Sequence, residues 1–355
     1  MANVIDYLKI NTVKVSRKSP FNELDALALA RVSYLPLTRI RMNEVRTLGD
    51  VAKRLERLEE KDFRWKDDKE LTRLLGESER FRAMKIADFV LDNDEAIEKQ
   101  FSAVTIWVRP YLAYISYLGT DSSLYGWKED FNMIFMPEVP AQTEAVKYFR
   151  SFCRHHLFSK VYLGGHSKGG NLAIYAAVLA NDLRQMRIKK VYNFDGPGLR
   201  KKLADKDAGR PVIQKIESFI PQDSLIGRLL EHREKFTVVK SMAEPLLQHD
   251  VYSWEVEDQK FVRSTTTKKS DFNDRMITRW LESASEEERR IFVDGMFEIL
   301  KRSKAGNPME VALNGVKHIP TLVRAYTKID KERRKVMMEV TKKLLSAYYQ
   351  TWRGR

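Results

Sequence analysis

The sequence predicts an α/β fold with a mostly parallel central sheet, a helical N-terminal region and a helical C-terminal extension. Between about residues 100 and 260, short segments rich in Val, Ile, Tyr and Phe alternate with helix-like segments, as in repeated strand–helix–strand units. The residues on either side, about 20–95 and 268–355, have helical patterns. We expect a domain over residues 1–265 and a helical extension over 266–355 that packs on it.

The elements are predicted in chain order. Asn22 is placed to cap the first convincing helix, because its short polar side chain can accept hydrogen bonds from amides of the first turn. The predicted strands are 101–108, 111–118, 160–164, 190–194, 215–220 and 236–240. Helices are predicted between several of them at 141–155, 170–181 and 225–231, and in the C-terminal extension at 274–284, 285–301 and 330–352.

Composition excludes several protein classes. The 355 residues include one cysteine, Cys153, which excludes an internal disulfide framework and a zinc finger. No apolar run approaches the roughly 20 residues of a membrane span, and the N-terminus lacks a signal-peptide pattern. We therefore expect a cytoplasmic protein. The net charge of +14 favours polyanionic partners, but no nucleic-acid-binding motif is present, so no nucleic acid is expected.

The most informative motif is Gly165-His166-Ser167-Lys168-Gly169, a Gly-x-Ser-x-Gly pattern. An apolar strand precedes it and a helix of small residues follows it, which is the strand–turn–helix context of a nucleophile elbow. Glycines flank the serine because a side chain at either position would strike the strand or the helix. Neither a Walker loop nor a dinucleotide fingerprint fits these glycines.

A nucleophilic serine needs a histidine base, and three histidines follow Ser167: His232, His249 and His318. His232 lies in a charged run that predicts a surface helix, and His318 lies in the helical tail. His249 follows a predicted strand in a loop. We therefore favour His249 as the base.

Two aspartates are candidates for the acid that orients the base. Asp195 ends the predicted strand after the elbow helix, and Asp223 ends the next predicted strand. Both can reach the carboxyl edge of the sheet, although Asp223 could equally cap a helix that begins near Leu225.

These motifs resemble those of the class 3 (fungal-type) lipases. The segment Gly119-Thr120, followed by Trp127 and Asp130, is similar to their Arg-Gly-Thr…Trp…Asp segment, and the elbow is similar to their Gly-His-Ser-Leu-Gly-Gly. With Asn22 to Leu27, the set is closest to a bacterial branch with an Mbeg-like domain of unknown function. The resemblance covers about residues 20–260.

The resemblance implies an α/β-hydrolase with Ser167 as nucleophile, His249 as base and Asp223 as acid. Asp195 stays as the alternative acid, but it matches a lipase glycine, which favours Asp223. No metal or organic cofactor is implied.

The resemblance also implies an oxyanion hole and a lid. Thr120 and the amide of Lys168 would form the oxyanion hole, and residues 121–135 would correspond to the lid. Two departures bear on substrate range: Leu118 stands where the lipases have arginine, and Lys168 where they have an apolar residue.

We expect a serine hydrolase that cleaves a carboxylic ester of a lipid or acyl group. The alternative is an inactive hydrolase fold that serves as a membrane- or protein-interaction module. The basic, amphipathic segment 330–355 adds an anionic membrane surface as a candidate partner, which would place the protein at the inner face of the membrane.

Overall fold

The computed structural model describes residues 2–207 and 209–354. The strands are β1 Lys85–Asp94, β2 Lys99–Arg109, β3 Leu112–Tyr117, β4 Lys160–His166, β5 Ile188–Phe194, β6 Ile216–Pro221, β7 Phe236–Val239, β8 Val256–Glu257 and β9 Lys260–Phe261. The α-helices are α1 Val4–Ile10, α2 Glu23–Val32, α3 Leu48–Leu55, α4 Lys66–Glu77, α5 Leu124–Asn132, α6 Pro140–His155, α7 Lys168–Val178, α8 Asp182–Gln185, α9 Lys201–Asp207, α10 Lys268–Ser283, α11 Glu286–Ser303, α12 Pro308–Asn314, α13 Ile319–Thr327 and α14 Lys331–Arg353.

The central sheet contains β1 to β7 in the order in which they follow along the chain. β2 and β3 are antiparallel, whereas β3 to β7 run parallel. With helices on both faces, this is an α/β-hydrolase fold, and the six predicted strands are confirmed as β2 to β7. Parallel strands place their carboxyl ends at one edge of the sheet, where such folds bind ligands. The loops after β4, β5 and β6 therefore meet at that edge.

Both faces of the sheet are buried, and β3 shows how side chains divide between them. Tyr114 packs into the core with the N-terminal helices α1 to α4. Ile115 and Tyr117 pack into a second core with α6 and α7. Successive side chains of a strand point to opposite faces, so a strand covered on both sides reads as continuously apolar.

The N-terminal helices are fixed by buried polar contacts. Asn22 caps α2 as predicted, since its Oδ1 accepts hydrogen bonds from the amides of Leu24 and Asp25, at 2.9 and 3.0 Å. The Asp25 carboxylate in turn forms a fully buried ion pair with Arg80, with Nη2 and Oδ2 2.5 Å apart. Removing one member of such a pair costs about 3–5 kcal/mol of stability, so these contacts define how the helices pack.

The predicted all-helical character of residues 20–95 is wrong at its end, where β1 forms. β1 is an edge strand that pairs only with β2 in the sheet, and most of its side chains are partly or fully exposed. It carries the charged residues Asp88, Asp92 and Asp94, which are typical of protected edges but are depleted in strands generally. The local pattern therefore lacked a strand signal.

The helix predicted at 225–231 is also wrong. Only the short 3₁₀ helix Ile226–Arg228 forms there. Leu230 has a positive φ of 66°, and Glu231 pairs with Leu199 through two backbone hydrogen bonds of 2.8 and 2.9 Å. This long-range pairing uses backbone groups that a helix would need.

The chain divides into two compact units. The first unit comprises Met1–Asn93, Phe101–Gly119 and Ala141–Thr267, and the second comprises Asp94–Gln100, Thr120–Pro140 and Lys268–Arg355. The division at Thr267 lies two residues from the expected boundary at 265/266, but the second unit also takes in two segments from within the expected hydrolase domain. Packing of the extension on that domain stays a prediction.

The second unit has its own core and polar contacts. Phe131 of α5 packs edge-to-face on Phe297 of α11, with ring centroids 5.5 Å apart. Lys128 of α5 forms ion pairs with Glu98 and Asp294 at 2.6 and 2.8 Å. Residues 94–100 and α5 thus pack with the C-terminal helices. In the part of the chain that the structure describes, no helix combines the length and apolar character needed to cross a bilayer.

Candidate active site

Ser167 stands on a sharp turn between β4 and α7. Its backbone has φ 58° and ψ −133°, a conformation that costs a residue other than glycine about 1–3 kcal/mol. The turn is held on both sides, because the Ser167 amide donates to the Phe194 carbonyl and the Gly170 amide donates to the Ser167 carbonyl, each at 2.9 Å. This is the strained strand–turn–helix geometry of a nucleophile elbow.

The two glycines of the motif are required by close backbone approaches. A Cβ atom at Gly165 would lie 2.4 Å from the carbonyl carbon of Gly169. A Cβ atom at Gly169 would lie 2.2 Å from the carbonyl oxygen of Tyr117 on β3. Both distances are shorter than any real contact of a Cβ atom, so the spacing Gly-x-Ser-x-Gly follows directly from the packing of strand, turn and helix.

His249 is hydrogen-bonded to Asp195. Its Nδ1 lies 2.6 Å from Asp195 Oδ2, and the carboxylate is 1% exposed. The other oxygen, Oδ1, accepts hydrogen bonds from Ser224 Oγ at 2.5 Å and from the Gly227 amide at 3.2 Å. A carboxylate accepts from an imidazole only through its N–H, so Nδ1 carries a proton, and in the neutral ring Nε2 keeps the lone pair. That tautomer is the one required of a general base.

The predicted pairing of Asp223 with His249 is wrong. Asp223 Oδ2 accepts a hydrogen bond from Gln248 Nε2 at 3.2 Å, and its Oδ1 accepts one from Thr267 Oγ1. Asp223 therefore anchors the residue before His249. Asp195 reaches the imidazole because it follows β5 immediately and has a positive φ of 51°.

His166, inside the elbow motif, also holds His249, a role that the sequence did not reveal. The His166 Nε2 and the His249 carbonyl oxygen are 2.9 Å apart, so Nε2 is the protonated nitrogen. The two rings lie 4.5 Å apart. Because His166 directly precedes Ser167, these contacts fix His249 beside the elbow.

The His166 ring is neutral. Burial, followed by the nearby His249 and Arg31, lowers the pKa of His166 well below its usual value of 6.5. Tyr34 Oη lies 3.2 Å from His166 Nδ1 and 3.1 Å from the His166 carbonyl oxygen. The elbow therefore contains a histidine that resists protonation in the folded protein.

A buried cluster around Arg31 packs beside His166 and the segment that carries His249, and no sequence signal pointed to it. The Arg31 guanidinium lies 4.0 Å from the ring centre of Tyr34 and 4.2 Å from that of Trp65. It also pairs with the buried Asp68, with Nη2 and Oδ1 2.7 Å apart. Tyr252, three residues after His249, donates to the same Oδ1 at 2.6 Å. The cluster thus joins α2 and α4 to the segment that carries His249.

The lowered pKa of His166 predicts how stability depends on pH. Below about pH 6.5 the unfolded chain binds a proton at this residue, whereas the folded protein resists it. The stability that this residue contributes above pH 6.5 is therefore lost as the pH falls toward the folded-state pKa. Between pH 7.5 and 5.5, His166→Asn should lose less free energy of unfolding than the wild type, by up to about 1.4 kcal/mol per pH unit.

Denaturant titrations at the two pH values measure this difference. His155→Asn is the matched control, since His155 is exposed and should leave the pH dependence unchanged. Equal pH dependence in His166→Asn and the wild type would contradict the prediction.

Of the residues expected to form the oxyanion hole and the lid, Lys168 belongs to the first unit, whereas Thr120 and residues 121–135 belong to the second. Lys168 is the first residue of α7, at the positive end of the helix dipole, and its side chain is almost completely buried. Thr120 is buried in the second unit, where its Oγ1 donates to Asp130. The expected lid, residues 121–135, contains α5. The oxyanion and lid roles stay predictions.

The structure also places the two histidines that were not chosen as the base. His232 was expected on a surface helix, which is wrong: its side chain is 8% exposed and its Nδ1 lies 2.8 Å from Glu234 Oε1. His318 ends the 3₁₀ helix Gly315–His318 of the second unit. Within residues 2–207 and 209–354, no group of three or more His, Cys, Asp or Glu side chains is arranged to hold a metal ion.

The chain is similar to one protein family and to a solved structure. The model of the family described as Mbeg1-like matches residues 75–298. A crystal structure of M37 lipase is similar with a TM-score of 0.38 and 15% sequence identity, over 59% of this chain and 69% of the lipase chain. No curated protein matches the sequence. The family match includes the elbow, Asp195 and His249, and it excludes α1 to α3 and α14.

Proposed function

The chain belongs to the Mbeg1-like family, and we propose that it is a serine hydrolase that cleaves a carboxylic ester of a lipid or acyl group. The observation that carries this proposal is a strained, half-buried Ser167 that directly follows His166, the residue whose Nε2 contacts the backbone carbonyl of the Asp195-bound His249. A structural turn has no need of a strained serine, and His249 differs from the carboxylate-paired His232 in its contact with His166, the residue directly before that serine.

In the proposed reaction, Ser167 Oγ attacks the ester carbonyl carbon while His249 Nε2 takes its proton. The alcohol then leaves with that proton, and an acyl-enzyme remains on Ser167. Water attacks the acyl-enzyme with His249 again as base, which releases the acid and restores the serine. Asp195, hydrogen-bonded to Nδ1, stabilises the imidazolium that forms twice in this cycle.

The proposal assigns stabilisation of the oxyanion to the Lys168 amide. The Lys168 amide follows the nucleophile directly, which is the position of one oxyanion donor in nucleophile elbows. Its place at the start of α7 adds the helix dipole. Loss of one such donor typically lowers turnover about 10²–10³-fold. The proposed preference for esters rests on the lipase-like motifs. It also agrees with the chemistry, because an ester has a better leaving group than an amide at the same carbonyl.

A fluorophosphonate probe tests the proposal, because it modifies only a serine that a neighbouring base activates. We expect the folded protein to be labelled at Ser167, as identified by mass spectrometry of the peptide that carries the elbow. Labelling should be slowed by a short-chain p-nitrophenyl ester, whose acyl group would occupy the same oxygen. A stoichiometric burst of p-nitrophenol would report the acyl-enzyme itself.

The control is the protein unfolded in denaturant, in which Ser167 has no partner and should stay unlabelled. A folded protein that is not labelled at Ser167, and that shows no burst with any ester, would contradict the proposal. It would favour the alternative, an inactive fold that serves as an interaction module.

A further inference from the structure

The C-terminal helix α14 has one buried face. Val340, Ala347 and Thr351 are at most 3% exposed and pack among α10 and α11 of the second unit. Trp280 Nε1 donates to the Val340 carbonyl at 3.2 Å, and Arg279 donates to Thr351 Oγ1 at 2.9 Å. This face accounts for the stability of the helix in its place, so the helix does not need its opposite face for packing.

The opposite face of α14 is apolar and exposed. Leu345, Tyr349 and Trp352 are spaced i, i+4 and i+7, which aligns them on one side of a helix. Their side chains are 64%, 48% and 53% exposed, and Met338, seven residues before Leu345, is 49% exposed. The rings of Tyr349 and Trp352 stack with centroids 6.3 Å apart. A contiguous exposed apolar stripe of this kind marks an interaction surface.

Basic side chains line one border of this stripe. Lys335, Lys342 and Arg353 fall between 60° and 80° from Leu345 around the helix, at about 100° per residue. The Arg353 guanidinium lies 4.5 Å from the ring centre of Tyr349. Residues 330–355 contain eight Lys or Arg and three Asp or Glu, a net charge of +5. Lys342 also pairs with Glu339, with Nζ and Oε1 2.8 Å apart, so the border of the stripe carries a net positive charge.

We propose that the exposed face of α14 docks on an anionic bilayer surface. Trp and Tyr rings favour the boundary between headgroups and hydrocarbon, Leu345 and Met338 would enter the hydrocarbon, and the basic border would meet anionic headgroups. The same border disfavours a second copy of the chain on this face, because both copies would bring positive charge. A nucleic acid would leave the aliphatic side chains without an apolar partner.

The helix α14 lies beyond the residues that the family model matches. The proposal does not depend on the hydrolase reaction, because binding can be measured without turnover.

Vesicle co-sedimentation of the full chain tests the proposal. We expect binding to vesicles of phosphatidylcholine with phosphatidylglycerol, and much weaker binding to phosphatidylcholine alone. The double variant Leu345→Gln/Trp352→Gln should lower partitioning to anionic vesicles about tenfold or more, because it removes the apolar part of the stripe. Lys335→Gln/Lys342→Gln should lower it by a similar factor, at about fivefold per basic residue, and should reduce the preference for anionic lipid by that factor.

The matched control is Leu157→Gln/Phe158→Gln, which removes a comparable aliphatic and aromatic pair, 68% and 87% exposed, from the first unit. It should bind vesicles as the wild type does. Point variants are preferable to truncation, because removing α14 would uncover the core of the second unit. Circular dichroism and the denaturant midpoint should be unchanged in all three variants.

Three results would overturn the proposal: equal binding to neutral and anionic vesicles, equal losses in the Leu345/Trp352 variant and its control, or no vesicle binding. Concentration-dependent dimerisation abolished by Leu345→Gln/Trp352→Gln would assign the face to a second copy. Binding of a single-stranded oligonucleotide lost in the same variant, without vesicle binding, would assign it to nucleic acid.

Discussion

Ser167→Ala should abolish ester hydrolysis and fluorophosphonate labelling while the protein stays folded. The substitution removes only the hydroxyl oxygen that would attack the carbonyl, and it keeps the Cβ atom on which the turn is built. Loss of a triad nucleophile lowers turnover by about 10⁶-fold in a serine protease. The expected result is therefore a loss of about 10⁶-fold in turnover of a p-nitrophenyl ester.

Ser167→Gly separates catalysis from strain. It should be as inactive as Ser167→Ala, but glycine adopts the φ of 58° without steric cost. We expect it to raise the free energy of unfolding relative to Ser167→Ala by about 1 kcal/mol, after allowing for the greater flexibility of glycine in the unfolded chain.

Ser151→Ala on α6 is the control for loss of a serine hydroxyl elsewhere in the first unit, and it should be fully active. Undiminished hydrolysis by Ser167→Ala, on any ester that the wild type cleaves, would contradict the assignment of the nucleophile.

Asp195→Asn should lower kcat/KM by about 10⁴-fold, in line with the effect of neutralising the acid of a protease triad. The oxygen of the asparagine would stay with the Ser224 and Gly227 donors and its NH2 group would face His249, so the imidazole would have to accept at Nδ1 and would lose the tautomer that leaves Nε2 unprotonated. The Ser224 and Gly227 donors would also lose the anion that they now bind.

Asp223→Asn is the matched comparison, because it makes the same change at the end of the neighbouring strand. Asp223 contacts Gln248 and Thr267, so its replacement should lower kcat/KM less than about tenfold. A crippling Asp223→Asn together with a mild Asp195→Asn would contradict the pairing in the structure and restore the assignment that the family resemblance implied.

The elbow could be predicted because it is local. Strand β4, Ser167 and the start of α7 are consecutive in the chain, and the glycine spacing records close approaches within that short segment and to the adjacent β3. The strands β2 to β7 were predictable for a similar reason: buried parallel strands are short apolar runs whatever their partners are. Edge strand β1 was not, since its exposed, acidic pattern fits no buried element.

The acid of the dyad could not be predicted, because the sequence presents two equivalent aspartates at the ends of two neighbouring strands. The choice depends on backbone direction after each strand, which the positive φ of Asp195 sets. It also depends on which aspartate Gln248 and Thr267 engage. The family resemblance favoured Asp223 because Asp195 aligns with a lipase glycine, but the side-chain contacts place Asp195 on His249.

The sequence by itself determined the strands β2 to β7 and the elbow at Ser167, and it singled out His249 as the candidate base, since each follows from periodicity or from the local context in the chain. Only the tertiary structure decided that Asp195 holds His249, that His166 and the Arg31 cluster support it, and that α14 keeps a second, exposed apolar face. The physical reason is distance along the chain. His249 is hydrogen-bonded to Asp195, 54 positions away in the chain, and to His166, 83 positions away. Such bonds depend on how the elements pack, and so does the division of a helix into a buried and an exposed face. No local pattern encodes that packing.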